Sequence, residues 1–343
     1  MGTGSAAASV TGGCYPAPRV ASSFMAAAAV TAGGIAVIGE ALIDLVESGD
    51  DDPRLARPGG SPYNVAVGLA RLGRPACFVG RLSHDPLGTV LRNHALRSGV
   101  DLSLCVEAYE PSTVALVELA PDGGAQYRFG VDGTADFRWT DAELAGVPDD
   151  VGAVHFGSLA SWLAPGDAAI ARRVASLRAG GCAVTYDPNV RPHLQPDAAA
   201  ARRQVERAVP LAHLVKTSAE DVGYLYPDQT VQDVVAGWLA RGAQVVVVTR
   251  GGEGVCAFST SAGTITRPPR EVDVVDTVGA GDAFMSGLLD GLALRGLLTP
   301  AGVAEADDTS LGVVLEHAAT VAAITCARAG ANPPWRAELD AVR

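Results

Sequence analysis

The chain has 343 residues and carries 26 Lys and Arg against 38 Asp and Glu, a formal charge of −12 at pH 7. This acidic balance excludes a protein that holds nucleic acid through an overall basic field, so an anionic ligand has to be bound locally. The length is sufficient for one large α/β domain with a small accessory element, or for two average domains.

Residues 1–33 are rich in Ala, Gly, Ser and Thr, contain Arg19 as the one basic residue and show no hydrophobic period. This composition predicts a disordered tail ahead of a folded domain over 34–343. A signal peptide is the alternative for the apolar run 24–30, although the run is short and a charged segment does not precede it. Met25 could equally be a second start site.

From residue 35 onward, short apolar runs alternate with segments of helical spacing. The predicted pairs are strand 35–39 with helix 62–72, 76–79 with 86–97, 153–156 with 167–178, 183–186 with 197–208, and 211–215 with 218–225, followed by helix 230–240 and strand 245–248. This alternation predicts an α/β fold with a mostly parallel sheet that is covered by helices on both faces.

One section departs from this alternation. Residues 113–119 and 125–131 have a period of two and are joined by Pro121-Asp122-Gly123-Gly124, which is a hairpin signal. The pattern predicts a small β-structure beside the main sheet. The alternative is a surface hairpin without a role in function.

The loop Asp276-Thr277-Val278-Gly279-Ala280-Gly281-Asp282 precedes an apolar segment with a predicted helix over about 280–295. Residues 279–281 are small and leave backbone N–H groups unshielded at the positive end of the helix dipole, which suits a phosphate. Asp282 would enter the first turn, where its carboxylate can take the proton of an attacking hydroxyl. The loop predicts a phosphoryl-transfer site; the alternative is a Gly-rich turn capped by aspartates.

A second set of polar and small residues lies in the first half of the chain. Asp44 follows the first predicted strand, and a carboxylate at a strand's carboxyl end can accept two hydroxyl hydrogen bonds in the crevice where α/β proteins bind ligands. Gly59 and Gly60 permit close approach of a ligand to the backbone, and Asn64 adds a donor and an acceptor one helical turn later. Taken singly, each is also an ordinary turn or cap residue.

Other functional classes lack their signatures. No GxGxxG follows an early strand, as a nicotinamide oxidoreductase requires, and the chain has no GxxxxGK[ST] and no zinc spacing of His and Cys. The six cysteines form no CxxC pair and are interpreted as buried thiols in a reducing cytoplasm. The apolar run 311–327 is interrupted by Glu316 and His317, so a soluble protein without a membrane span is predicted.

DTVGAGDAF, at 276–284, resembles the C-terminal signature of the ribokinase-like carbohydrate kinases, the phosphofructokinase-B family. PGGSPYNVA, at 58–66, resembles the N-terminal signature of the same family. The resemblance covers about 35–343 and is nearest to fructokinase-type bacterial sugar kinases. It implies a ribokinase-like three-layer α/β/α sandwich with a mostly parallel central sheet, and a small β-sheet lid over the sugar, formed by about 40–57 and 101–138.

The resemblance also implies roles for individual residues, with Asp282 as the catalytic base and the amides of Gly279, Ala280 and Gly281 as the anion hole. The implied sugar ligands are Asp44, Gly59, Gly60, Asn64 and Arg191, and the implied nucleotide contacts are Ser218, Thr249, Gly251, Gly254 and Asn332. Asp221 is implied to contact Mg²⁺ through water and Asp276 a monovalent cation, so the expected cofactors are ATP, Mg²⁺ and K⁺. Where relatives often carry Asn-x-x-Glu, this chain has Ser218-Ala219-Glu220-Asp221, whose side chains are shorter.

The expected activity is therefore ATP-dependent phosphorylation of a small sugar in the cytoplasm, with fructose favoured and a homodimer through the lid as an option. A kinase for 2-keto-3-deoxygluconate, another small polyol or a nucleoside is the alternative within the family. A sugar-binding regulatory protein is the alternative of another class, but binding alone requires no base such as Asp282. Aligning 133–135 with the Gly-Ser-Ala of sugar-acid kinases puts Val131 where those enzymes carry Arg, which favours a neutral ketose.

Overall fold

The structure, a computed structural model, describes residues 33–46, 55–119 and 125–342. The predicted N-terminal tail, apart from residue 33, lies outside the described residues. The same holds for the predicted turn at 121–124 and for the middle of segment 40–57.

An eight-stranded sheet forms the centre of the described chain. Its strands are β1 (Ile35–Ile38), β4 (Ala76–Val79), β9 (Ala153–Gly157), β10 (Ala183–Asp187), β11 (Leu214–Ser218), β12 (Val245–Thr249), β13 (Val255–Ser259) and β14 (Gly263–Arg267). Their order across the sheet is β14-β13-β12-β11-β10-β9-β1-β4. The strands from β12 to β4 are parallel, whereas β13 is antiparallel to both neighbours. The predicted mostly parallel sheet is confirmed.

Successive residues of β1 enter two different hydrophobic cores, one on each face of the sheet. Ala36 and Ile38 belong to one core, and Ile35 and Val37 belong to the other. Because side chains alternate between the faces of a strand, a strand that is apolar at every position needs cover on both sides. The helices provide this cover, and the result is the predicted three-layer α/β/α arrangement.

The helices are α1 (Ser61–Arg71), α2 (Pro86–Arg97), α3 (Asp141–Leu144), α4 (Asp167–Ala179), α5 (Ala198–Ala208), α6 (Ala219–Leu225), α7 (Val231–Ala240), α8 (Ala280–Leu294), α9 (Pro300–Glu305), α10 (Asp308–Cys326) and α11 (Arg336–Asp340). Local sequence explains several of their starts. The side chains of Asp85, Asp197 and Thr299 accept hydrogen bonds from first-turn N–H groups of α2, α5 and α9. Thr230 and Asp233 form a reciprocal capping box at α7.

A separate four-stranded sheet lies beside the main one. It contains β2 (Leu42–Val46), β3 (Leu55–Gly59), β7 (Thr113–Leu119) and β8 (Ala125–Gly130), in the order β3-β2-β7-β8. The first part of the predicted section 101–138 does not join it, since β6 (Val106–Ala108) pairs with β5 (Arg81–Ser83) in a two-stranded sheet. The small sheet is thus made of two segments, one on each side of α1 in the chain.

Two predicted positions differ from the structure. Asp44 does not follow the first strand, because β1 ends at Ile38 and Asp44 lies inside β2, paired with strands of the small sheet. The strand predicted at 211–215 is instead Leu214–Ser218, since a 3₁₀ turn with Pro210 occupies the preceding residues. Lys216 can lie in this buried strand because an ion pair compensates its charge.

The helix α10 corrects the expectation that no apolar run reaches the length of a membrane span. Among the described residues, it is the one helix that is long and apolar enough to cross a membrane. Glu316 and His317 lie within it, but its mean hydropathy remains high enough for a span. Half of it is buried inside the protein, where it packs on α8. The helix therefore serves as a core helix in this fold. The described cysteines, at 77, 105, 182, 256 and 326, are free thiols.

Glycines allow α8 to pack closely between its neighbours. A Cβ on Gly68 of α1 would lie 2.4 Å from Ser286 Oγ of α8, and a Cβ on Gly287 would lie 2.8 Å from Ala318 Cα of α10. Both distances are shorter than the van der Waals contact distance of the atoms involved, so a side chain at either glycine would clash. The position of α8 therefore depends on small residues at these two contacts.

We predict that Gly287→Ala destabilises the protein by about 1–3 kcal/mol, because the added methyl meets the backbone of α10, which cannot rotate away. The matched control is Gly237→Ala in α7, where a Cβ would meet no atom within 4 Å. That variant should gain about 0.4–1 kcal/mol from reduced freedom of the unfolded chain. Urea unfolding of both variants measures the difference, and equal stability of the two would contradict the close packing.

Candidate active site

A cleft of about 930 Å³ opens where the carboxyl ends of the parallel strands face the small sheet. The main sheet contributes residues that follow β9, β10, β11 and β12, and the small sheet contributes Leu42, Asp44 and Phe129. The first turns of α1 and α8 also line it. In open α/β sheets this edge is the usual ligand-binding position, because several loops converge there.

Asp282 lies at the centre of the cleft wall, in the first turn of α8. Ser61 Oγ donates a hydrogen bond of 2.7 Å to one of its carboxylate oxygens, and Asn64 Nδ2 donates one of 2.8 Å to the other. Burial raises the pKa of Asp282, although these two donors and the nearby Lys216 charge act in the opposite direction. The carboxylate is thus held in one orientation, and its affinity for a proton is increased.

The loop before Asp282 presents two glycines to the cleft. Gly279 and Gly281 line it, whereas the N–H of Ala280 donates to the carbonyl of Thr277 at 3.1 Å and Ala280 is not part of the lining. Gly279 has a φ of 75°, and a Cβ there would lie 2.5 Å from Ala331 Cβ. The sequence predicted an anion hole made of the three amides of 279–281. In the structure the middle amide is already hydrogen-bonded within the turn.

A buried ion pair lies directly beside this loop, and the sequence analysis missed it. Lys216 Nζ is 2.8 Å from Asp187 Oδ2, and the side chains are 6% and 2% exposed. A Cβ on Gly281 would lie 3.1 Å from the same ammonium nitrogen. Burial acts to lower the pKa of Lys216, but the attraction of Asp187, with contributions from Asp221 and Asp282, raises it overall. A single Lys inside the otherwise apolar start of a strand was the signal available in the sequence.

Acidic side chains dominate the end of the cleft beneath the small sheet. Burial raises the pKa of Asp44 to about 6, with the Asp282 charge adding to the shift and Arg191 opposing it. Arg191 and Asn64 line the cleft with Asp44, so the structure brings these three predicted residues together. Glu40, which was not among the predicted site residues, also lines it while accepting a 3.1 Å hydrogen bond from Ala160 N.

The two predicted glycines of this region lie in close contact with other parts of the protein. A Cβ on Gly59 would lie 2.4 Å from Asp44 Oδ2, and Gly59 does not line the cleft. Gly60 does line it, but its φ is 101° and a Cβ there would lie 2.6 Å from the carbonyl oxygen of Glu40. Both positions need glycine because other parts of the protein approach them closely.

Two further cleft residues adopt strained backbone conformations. Ser158 has a φ of 51° and Asn189 a φ of 39°, and both line the cleft at the ends of β9 and β10. Asn189 Nδ2 donates to Ser158 Oγ at 3.2 Å, so the two support each other. Side chains with positive φ cost free energy and concentrate at functional sites. No pattern in the sequence indicates this strain.

Three of the predicted nucleotide contacts, Ser218, Thr249 and Gly251, line the opposite end of the cleft. Gly254 does not; a Cβ there would lie 2.2 Å from Arg267 O, so it serves the turn between β12 and β13. Asn332 also lies outside the lining, and its side-chain oxygen accepts a hydrogen bond of 2.6 Å from Arg71.

The proposed metal contacts are both engaged by backbone N–H groups. Asp221 lines the cleft and accepts from Val190 N at 3.1 Å and Ser218 N at 3.2 Å. Asp276 accepts from Val278 N at 3.0 Å and Gly330 N at 2.7 Å. Among the described residues, no group of three or more His, Cys, Asp and Glu could hold a metal ion. A single cleft carboxylate such as Asp221 fits a hydrated Mg²⁺ that is bound mainly by substrate phosphates, and not one coordinated by several protein side chains.

Comparison with known proteins agrees with this geometry. Residues 33–338 match the model of the pfkB family of carbohydrate kinases. Fructokinase of Rhizobium leguminosarum bv. trifolii is 36% identical over 80% of this chain and 84% of its own length. The structure of Xylella fastidiosa fructokinase with bound ATP has a TM-score of 0.82 at 29% identity, over 90% of this chain and 98% of that one. Fructokinase of Vibrio cholerae O395, bound to fructose, ADP and calcium ion, has a TM-score of 0.78 at 26% identity, over 91% and 99%.

The match to the family model runs from β1 into the last helix and includes every residue of the cleft. The relative from Rhizobium leguminosarum bv. trifolii is more than one-third identical over most of both chains. The chain belongs to the pfkB family of carbohydrate kinases, which are phosphotransferases with an alcohol group as acceptor.

Proposed function

We propose that the protein is a fructokinase that transfers the γ-phosphoryl group of ATP to a hydroxyl of fructose. The observation that carries this proposal is the buried carboxylate of Asp282, which lies beside the Gly279 and Gly281 backbone and is oriented by Ser61 and Asn64. The similarity to fructokinases with bound ATP or bound fructose supports the choice of both substrates.

In this mechanism Asp282 takes the proton of the attacking sugar hydroxyl, and its raised pKa makes it a better acceptor. The N–H groups of Gly279 and Gly281, at the positive end of α8, stabilise the charge on the transferred phosphoryl group. Asp44 and Asn64 bind the sugar at the other side of the carboxylate. Pure sugar binding would not require a buried, oriented base, so the geometry favours an enzyme over a regulatory sugar-binding protein.

Mg²⁺, when bound with ATP, neutralises charge on the phosphates. Asp221 is the carboxylate at the nucleotide end that would contact its water, and Asp276 is the one that would contact K⁺. Ser218, Thr249 and Gly251 would bind the nucleotide. The protein's own residues would meanwhile hold the phosphoryl group and the hydroxyl in line.

The small sheet is the lid in this proposal, because it supplies Asp44 and Phe129 to the cleft while remaining separate from the main sheet. Its closure would exclude water from the transferred phosphoryl group. A homodimer formed through this sheet and a cytoplasmic location are part of the same proposal.

The charge of the sugar end favours a neutral ketose over a sugar acid. Glu40, Asp44 and Asp282 line that end together with Arg191, so a substrate carboxylate would meet more like charge than opposite charge. 2-Keto-3-deoxygluconate is accordingly the second candidate, with Arg191 as the residue that could bind its carboxylate.

The test is sugar-dependent release of ADP from ATP with Mg²⁺, measured by a coupled assay across hexoses, pentoses, sugar acids and nucleosides. We expect fructose to have the highest kcat/KM and 2-keto-3-deoxygluconate a lower one. Binding of a sugar without ADP release above background would support the regulatory-protein alternative instead.

We predict that Asp282→Asn lowers kcat by about 10² to 10⁴, the usual contribution of a positioned general base, while the sugar KM and the melting temperature change little. The amide has nearly the same shape but cannot accept the hydroxyl proton. Ser61→Ala is the matched control, since it removes a hydrogen bond to Asp282 and leaves the carboxylate in place. Its kcat should fall much less, and equal losses in the two variants would show that Asp282 is not the base.

We predict that the KM for fructose rises about tenfold between pH 7 and pH 5, because Asp44 with a pKa of about 6 becomes protonated and loses acceptor capacity. The KM rises toward low pH because the raised pKa keeps Asp44 ionised only above about pH 6, and the ionised carboxylate is the form that binds sugar hydroxyls. Asp44→Asn should have a high KM at all pH values, while the acid-side loss of kcat from Asp282 remains. A KM that still varies with pH in Asp44→Asn would assign the titration to another group.

A further inference from the structure

The Lys216–Asp187 ion pair has no role in the mechanism above, although it lies where the phosphoryl group would pass. Lys216 projects from β11 and Asp187 from the end of the neighbouring strand β10, and Lys216 lines the cleft. The ammonium is close to Gly281, which belongs to the loop that presents backbone N–H groups to the cleft. A fixed positive charge and the start of α8 thus converge on one place.

The ammonium has hydrogen-bonding capacity that the described residues do not use. A lysine ammonium carries three N–H donors, and the acceptor found for Lys216 in the described chain is Asp187 Oδ2. Asp221 and Asp282, both in the cleft lining, are close enough to affect its charge. Lys216 is thus a fixed ammonium beside the Gly281 backbone, with N–H donors available to an anion that enters the cleft.

We propose that Lys216 binds the transferred phosphoryl group of ATP and that Asp187 holds its ammonium in position, an inference that rests on the proposed kinase function. The bond between the γ-phosphorus and the β,γ-bridging oxygen breaks, and its electron pair leaves with ADP. The new bond forms between the sugar hydroxyl oxygen and phosphorus, and the hydroxyl proton goes to Asp282. Lys216 stays an ammonium throughout and stabilises charge on the phosphoryl oxygens.

The alternative role is structural, with Lys216 neutralising a buried Asp187. A buried ion pair is weak evidence of stabilisation, because removing two charges from water costs about as much as their attraction returns. Apolar residues would fill this core strand without that cost. The compact ammonium also suits the space beside Gly281 better than a guanidinium, which is larger and planar.

The test compares Lys216→Met, Asp187→Asn and the double variant with the wild type in kcat, KM for fructose and melting temperature. Lys216→Met leaves Asp187 buried and unpaired, so it should be less stable than the double variant, which carries neither charge of the pair. We expect the double variant to regain stability while its kcat stays about 10² to 10³ below wild type, as for loss of one donor to a transition-state charge. The fructose KM should change little.

A second measurement separates phosphoryl binding from nucleotide binding. Titration calorimetry with fructose present compares ADP alone with ADP plus aluminium fluoride, which mimics the transferred phosphoryl group. We expect aluminium fluoride to tighten ADP binding to the wild type but not to the double variant, and ADP alone to bind both equally.

Recovery of kcat in the double variant to within about tenfold of wild type, together with normal tightening by aluminium fluoride, would overturn the proposal and leave the pair a structural one. A wild type without sugar-dependent ADP release would instead contradict the kinase function itself. The two failures are therefore distinguishable in one set of assays.

Discussion

The whole cleft depends on the meeting of two helix N-termini at one buried carboxylate. Ser61 and Asn64, from the first turn of α1, donate to the two oxygens of Asp282 in the first turn of α8, across 221 and 218 residues of sequence. The same turn of α8 presents the glycine amides, and α1 starts directly after Gly60 in the sugar region. A shift of either helix would therefore misplace the proposed base, anion site and sugar site together.

The far ends of these helices are joined by a second buried carboxylate. Asp290 of α8 accepts hydrogen bonds from Arg74 at 2.5 Å and from Arg336 and His317 at 2.7 Å. Arg336 also donates to Leu72 O at the end of α1. Burial acts to raise the pKa of Asp290, but these donors lower it overall. Helices α1 and α8 are thus connected at both ends, and close contact at Gly68 leaves little freedom between them.

Charge and strain are distributed along the cleft in a way that matches a phosphoryl transfer between two unlike substrates. The proposed sugar end is acidic, and burial raises the pKa values of its carboxylates, which suits hydroxyl binding and proton uptake. The proposed phosphoryl region contains the buried Lys216 and the positive end of α8. Ser158 and Asn189, both with positive φ, also line the cleft, and such strained backbone is concentrated at functional sites.

The sequence by itself determined the α/β class, the parallel sheet and the family, because strand and helix periodicity and the loop before Asp282 are local patterns. It also indicated Asp44, Asn64 and Asp282 as members of one site. Only the tertiary structure decided that Asp44 lies inside the small sheet, that Gly59 accommodates Asp44, and that Lys216 pairs with Asp187. These relations join residues that are distant in the chain, and they depend on how strands and helices pack, which no local periodicity encodes.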